Sequence, residues 1–265
     1  MKKIIILLLG ICSMLVISFS CGDNGAKIEL KKAIAELNKM CPVQYDFATL
    51  VSTRIEDGSL EFDYVYDDEL MQLDYLNNNT TDSKRQYGAL ILNADEAMSD
   101  LLYRAGYGFT ANYKGTKTGE TITFHLTNDE IKEIKERPAS KSELLNWKIQ
   151  ITNLSLPMRI DEFTELAFMN CRDAYVSCVY EVDDEQVSMP LLEENQSEIK
   201  ENLKQELDHE FNSPTSDTKQ MLTLVCRTNR AFRCVYRGKT TGKDVVVELS
   251  NAELRNLLND YIEEE

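Results

Sequence analysis

The spacing of apolar residues changes period several times along the chain, and each change marks an element. Between Ala26 and Met40, Leu30, Ala33, Ile34 and Leu37 fall at helical spacing. Thr49–Ile55 and Leu60–Tyr66 alternate apolar with polar, as half-buried strands do, around Asp57-Gly58, a strong hairpin signal. A helix is expected near Ala94–Ala105, stopped at Gly106. Phe109–Tyr113 and Thr121–Leu126 then read as strands joined by the loop Gly115–Gly119. Thr127-x-x-Glu130 follows as a capping box that opens another helix.

The same succession returns later. Residues 101–135 align without gaps on 224–258, with 10 identities in 35 positions. Leu101, Arg104, Phe109, Tyr113, Gly115, Thr118, Gly119, Leu126, Asn128 and Glu130 recur as Leu224, Arg227, Phe232, Tyr236, Gly238, Thr241, Gly242, Leu249, Asn251 and Glu253. An earlier block recurs in order as well. Pro42, Asp46, Phe47, Leu50 and Tyr64 answer to Pro157, Asp161, Phe163, Leu166 and Tyr180, and Asp67-Asp68-Glu69 to Asp183-Asp184-Glu185. Self-similarity at this distance predicts two copies of one small domain rather than a solenoid. Within the second copy, Ile199, Leu203, Leu207 and Phe211 form an apolar stripe on a helix. Asn229 closes the helix near 217–228 as Gly106 closes its counterpart.

The fold class expected is α+β. It comprises two tandem homologous repeats, each a four-stranded antiparallel sheet with helices packed on one face. The expected boundaries are 1–20 for a signal segment, 21–25 for a tether, 26–137 for the first repeat and 138–265 for the second. Pro138 stops the preceding helix at the join.

Composition narrows the classes of function. The 265 residues include 29 Lys plus Arg against 45 Asp plus Glu, a net charge of −16. Phosphate binding needs clustered cations, so nucleic acid is excluded as an expected partner. Hydrophobic residues at 43% and charged residues at 28% are ordinary globular values and exclude wholesale disorder.

No constellation for catalysis or metal binding stands out. Gly238-Lys-Thr-Thr-Gly242-Lys243 has one residue too few between its glycines for a phosphate loop, and reads as a hairpin turn. His125 alternates away from the apolar face of its strand, and His209 falls off the Ile199–Phe211 stripe. A Ser-His-Asp or Cys-His system would have to use one of these two. The cysteines lack zinc spacing; Cys178, Cys226 and Cys234 read as core fillers, with a Cys226–Cys234 disulfide left open. The acidic clusters lack the ligand alternation of a calcium loop, and read as strand-end turns and helix starts. No metal ligand, cofactor or catalytic residue is assigned. Trp147, without a counterpart in the first copy, is the one candidate contact residue.

The N-terminus carries the clearest address. Lys2 and Lys3 precede the mostly apolar stretch Ile4–Phe19, which is too short to span a bilayer and fits a secretory signal. Ser18-Phe19-Ser20-Cys21 resembles the lipobox of bacterial lipoprotein precursors, although Ser18 stands where a large aliphatic residue is usual. With Cys41-Pro42 and Leu156-Pro157, each followed by an aspartate (Asp46, Asp161), the chain resembles a family of uncharacterised secreted bacterial lipoproteins. The tandem layout is similar in outline to that of β-lactamase inhibitor proteins, in architecture alone. The resemblance implies cleavage before Cys21, a lipid on that residue, and a place in the envelope at the outer membrane or cell surface. The expected function is a lipid-anchored binding protein without catalytic activity, facing an envelope protein or a surface polymer. A carboxylate-based hydrolase acting on an extracellular glycan is the alternative.

Overall fold

The computed structural model describes residues 23–45, 48–68, 73, 76, 80–211 and 217–258. The signal segment, Cys21, Asp46 and Phe47 lie outside the described residues. The chain divides into two compact units between Ser140 and Lys141.

The first unit runs α1 (Asp23–Met40), β1 (Val43–Gln44), β2 (Ala48–Glu56), β3 (Ser59–Tyr66), α2 (Thr81–Ala94), α3 (Glu96–Ala105), β4 (Gly108–Gly115), β5 (Thr121–Leu126) and α4 (Asn128–Glu136). Its sheet order is β1-β2-β3-β4-β5. The second unit runs α5 (Lys141–Leu154), β6 (Met158–Arg159), β7 (Thr164–Cys171), β8 (Tyr175–Val182), α6 (Met189–Glu194), α7 (Gln196–Phe211), α8 (Asp217–Arg227), β9 (Ala231–Gly238), β10 (Asp244–Leu249) and α9 (Asn251–Leu257). Its sheet order is β6-β7-β8-β9-β10.

Two expectations are corrected. Each sheet has five strands, not four, because Val43–Gln44 and Met158–Arg159 add a short edge strand to β2 and β7. Two residues are too few to show an alternation, so no periodicity announces them. Neither sheet is wholly antiparallel either. The two hairpins of each unit meet through a parallel pair, β3 with β4 and β8 with β9. Parallel neighbours need a long crossover, and the connecting segments carry α2–α3 and α6–α8. Helix α1 also begins at Asp23, so it takes in Asp23–Gly25 from the expected tether. An acidic residue is favoured in a first helical turn.

Strand alternation divides each sheet into a buried and an open face. In the first unit Leu60, Phe62, Tyr64, Phe109, Ala111, Tyr113, Phe124 and Leu126 are buried. Rings stack or tilt across the parallel pair, with centroids 5.0 Å apart for Tyr64–Tyr113 and 5.5 Å for Phe62–Phe109. Helix α2 comes down on this face at Gly88, where an added Cβ would lie 2.9 Å from Leu126 and 2.7 Å from Ile134 of α4. In the second unit Cys178 and Cys234 take the places of Phe62 and Ala111 and are directly paired across β8 and β9. Both are fully buried free thiols, as is Cys226. Burial pushes the thiols up, Cys234 to about 12, so they are neutral packing groups.

Local signals fall where the sequence puts them. Gly106 and Asn229 close α3 and α8 in the left-handed region, at φ 69° and 57°. Asp57 and Gly58 turn the β2–β3 hairpin with positive φ at both positions. Thr127 with Glu130, and Ser250 with Glu253, form complete capping boxes.

The acidic clusters do something the sequence does not reveal. Asp68 reaches from the end of β3 into the β4–β5 loop and accepts from the amides of Lys117 and Thr118, each at 2.9 Å, and from the Thr118 hydroxyl. Asp184 does the same with Thr240 and Thr241, at 2.8 and 3.0 Å. The Thr118 hydroxyl foremost, with the amides, holds the Asp68 carboxyl well below the usual carboxylate range; Thr241 and its neighbours do so for Asp184. Gly115 and Gly238 are required there, since a Cβ would lie 2.3 Å from a carboxylate oxygen of Asp68 or Asp184. Replacing Asp184 or Gly238 by Ala is expected to release the loop. Amide exchange at Thr240 and Thr241 should rise about tenfold, the loss of roughly one hydrogen bond each, while Lys117 and Thr118 stay unchanged. Hydrogen exchange followed residue by residue checks this.

Candidate functional site

The open faces are where the two units, so alike in backbone, differ in chemistry. In the first unit a row of side chains crosses four strands in register: Ser52 on β2, Asp63 on β3, Asn112 on β4 and Thr123 on β5. Ser52 donates to Asp63 at 2.7 Å, Asn112 donates to Asp63 at 3.0 Å, and Thr123 donates to Asn112 at 2.9 Å. Arg54 closes the ladder by pairing with both Asp63 and Glu61. Burial raises the Asp63 carboxyl, but the bonds from Ser52 and Asn112 and the charge of Arg54 outweigh it and hold it below its ordinary value. A second chain links Ser59, Thr110 and the Nδ1 of His125, each step at 2.9 Å.

In the second unit the corresponding row reads Phe168 on β7, Val179 on β8, Val235 on β9 and Val246 on β10, again in register. Every polar member has been replaced by an apolar one. Phe168 and Val246 at its ends are 39% and 40% exposed. Val179 and Val235 between them are 3% and 9% exposed. Phe163, just before β7, adds another exposed aromatic ring at 38%. The exposed part of the row is therefore its two ends, Phe168 and Val246, with Val179 and Val235 buried between them.

Charged side chains flank the row on both sides and are paired among themselves. Arg233 pairs with Glu248 and lies 3.7 Å over the ring of Tyr175. These three stand where the first unit has Thr110, His125 and Ser59. On the other flank Arg237 makes a two-pronged pair with Asp244, at 2.8 and 2.9 Å, and Lys239 reaches Glu165 at 2.9 Å.

Among the described residues no group of three or more His, Cys, Asp and Glu could hold a metal ion. Among the described residues one carboxylate has a raised pKa. Asp95 is buried, and burial lifts it to about 6 against the amides of Met98 and Ala97, which lower it. It is the N-cap of α3 and accepts from Met98 N at 2.9 Å, a structural task. It therefore gives the glycan-hydrolase alternative no support. His125 and His209 are both exposed. Trp147 sits half-buried on α5 and is not part of the row. Sequence reasoning missed the row itself. The signal was present in the outward-facing positions of the two copies, Ser52 against Phe168 or Thr123 against Val246, once compared pair by pair.

No protein-family model matches the chain, and no curated protein matches it in sequence. Three solved structures show partial likeness. A secreted protein from Pseudomonas aeruginosa is 16% identical and covers 43% of this chain and 99% of its own, with a TM-score of 0.31. The type II secretion system pilotin AspS from Vibrio cholerae is 13% identical over 41% of this chain and 94% of its own, TM-score 0.30. The type 2 secretion pilotin EpsS from Vibrio vulnificus is 11% identical over the same shares, TM-score 0.30. Likenesses this low carry no argument about what the chain binds.

Asp95 supplies a stability prediction. Its folded pKa lies above the ordinary 3.8, so its contribution is complete below about pH 4 and is lost as pH rises through 6. Asp95→Asn keeps a capping oxygen and removes the buried charge. It is expected to stabilise the protein by about 1–2 kcal/mol at pH 7 and to gain nothing at pH 4. Urea unfolding at the two pH values measures both.

Proposed function

We propose that the chain is an exported, lipid-anchored protein of the bacterial envelope that works by binding, with the open face of the β7–β10 sheet as its contact surface. The observation that carries this is the replacement of Ser52, Asp63, Asn112 and Thr123 by Phe168, Val179, Val235 and Val246 at the same register positions. The fold does not need the apolar row, because the same strand arrangement stands in the first unit on a hydrogen-bonded one. Exposing Phe and Val to water is unfavourable in a free monomer and favourable where a partner covers them. Trp147 is a second contact candidate, on α5 of the same unit.

The anchor rests on the N-terminal pattern Lys2-Lys3, Ile4–Phe19 and Ser18-Phe19-Ser20-Cys21. In this reading residues 1–20 are removed, Cys21 carries the lipid, and 26–137 and 138–265 are the two repeats. No helix among the described residues is long and apolar enough to cross a membrane, so attachment would come from the lipid.

Two outcomes are expected. Cells fed labelled palmitate should label the wild-type chain and leave Cys21→Ser unlabelled and released from the membrane fraction. A soluble form beginning after Cys21 should retain an envelope component that Phe168→Asp and Val246→Asp fail to retain, while Asn112→Ala in the first unit behaves as wild type. Equal recovery by all these forms would remove the β7–β10 face as the contact surface.

A further inference from the structure

We infer that the partner of this face is a second copy of the same chain, docked face to face about a two-fold axis that runs along the strands. The inference rests on the reading of that face as a contact surface and names what covers it.

The charge order across the sheet carries the argument. On one side of the apolar row the register aligns Glu165, Glu181, Arg237 and Asp244, from β7 to β10. On the other side it aligns Asn170, Ser177, Arg233 and Glu248. A two-fold axis along the strands, between β8 and β9, reverses each row onto itself. Glu181 then faces Arg237 of the second copy, and Arg237 faces Glu181 of the second copy, two unlike pairs made by one symmetric contact. Glu248 faces the Asn170 amide of the second copy, and Arg233 lies over the position of Ser177, which is itself buried. The exposed ends of the apolar row lie on each other, Phe168 over Val246, while Val179 and Val235 between them are already buried within each copy. The end positions bring Glu165 opposite Asp244; Lys239 pairs with Glu165 within each copy, and Arg237 is shared between Asp244 of its own copy and Glu181 of the second.

The other in-plane axis, across the strands, is ruled out by the same residues. It would set Arg237 against Arg233 and Asp244 against Glu248, like on like.

Overall charge points to the same surface. Two chains of net charge −16 repel each other. This face holds four acids (Glu165, Glu181, Asp244, Glu248) and three cations (Arg233, Arg237, Lys239), so it presents a near-neutral patch. The corresponding row of the first unit is polar throughout, so covering it would bury no apolar side chain and would strip water from the Arg54–Asp63–Glu61 network. One self-complementary face per chain closes a dimer and cannot build a filament.

The patch is small. Strands about 4.8 Å apart, with three rows along them, cover about 400 Å² per copy. That is half of the ~800 Å² per partner of a standard interface, so micromolar association is expected. Lipid anchoring of both copies to one membrane would raise their effective concentration and compensate.

Sedimentation equilibrium of the soluble chain, from micromolar to millimolar, is the test. The expected result is a monomer–dimer equilibrium that Phe168→Asp abolishes and Asn112→Ala leaves unchanged. Glu181→Arg and Arg237→Glu should each be monomeric alone, and an equimolar mixture of the two should dimerise, because both cross-axis pairs are again unlike. A chain that stays monomeric at millimolar concentration overturns the inference, as does a dimer that survives Phe168→Asp. If the chain is monomeric and Phe168→Asp still loses an envelope component, the contact surface stands and the second copy is not its occupant. If neither association nor capture responds to Phe168→Asp, both readings fall.

Discussion

The parallel pairing of β3 with β4, repeated by β8 with β9, is the constraint on which each unit depends. Hairpins form locally, but a single two-stranded hairpin has too little apolar face to be stable alone. Joining two through parallel strands makes one continuous sheet, and the connection this requires is long enough to carry helices. Where described, those helices supply the cover for the apolar face: Gly88 on α2 lets the helix reach Leu126 closely. The same pairing brings the end of β3 beside the β4–β5 loop. Thr116 donates to the Tyr66 carbonyl at 3.0 Å there, and Asp68 can clamp the next two amides.

With the backbone held in this way, the open face is free to vary, and the two units use that freedom differently. The Ser52–Asp63–Asn112–Thr123 ladder is stable because its members satisfy one another. Breaking one would leave a half-buried carboxylate or amide short of a partner. The Phe168–Val179–Val235–Val246 row has no such internal logic. Its exposed ends, Phe168 and Val246, gain only when water is removed from them. A hydrogen-bonded row and an apolar one thus stand on the same sheet order within one chain.

The cysteines show how register overrides sequence proximity. Cys226 and Cys234 are near one another in the chain, at a helix end and the following strand, and that proximity left a disulfide open. In the fold the neighbour of Cys234 is Cys178, directly opposite on the parallel strand, and both are free, buried and neutral. They occupy the paired positions that Phe62 and Ala111 hold in the other unit, as small apolar fillers.

Much of the fold was legible in the residues themselves, because the signals are local and occur twice. Gly106 and Asn229 favour the left-handed conformation that ends a helix, Thr127–Glu130 and Ser250–Glu253 cap helices through contacts three residues apart, and Asp57-Gly58 turns a hairpin. Strand alternation likewise separates the Phe109–Tyr113 face from its opposite by elementary geometry. What no local signal carries is which strands lie side by side. The parallel join, the Asp68 and Asp184 clamps and the transverse row depend on residues 10 to 60 positions apart meeting in register, and the two-residue strands β1 and β6 are too short to show a period. The sequence by itself determined the elements, their duplication and the −16 charge, since these depend on composition and near neighbours. Only the tertiary structure decided that Phe168, Val179, Val235 and Val246 form one row, because a row across a sheet exists only once the strands have paired.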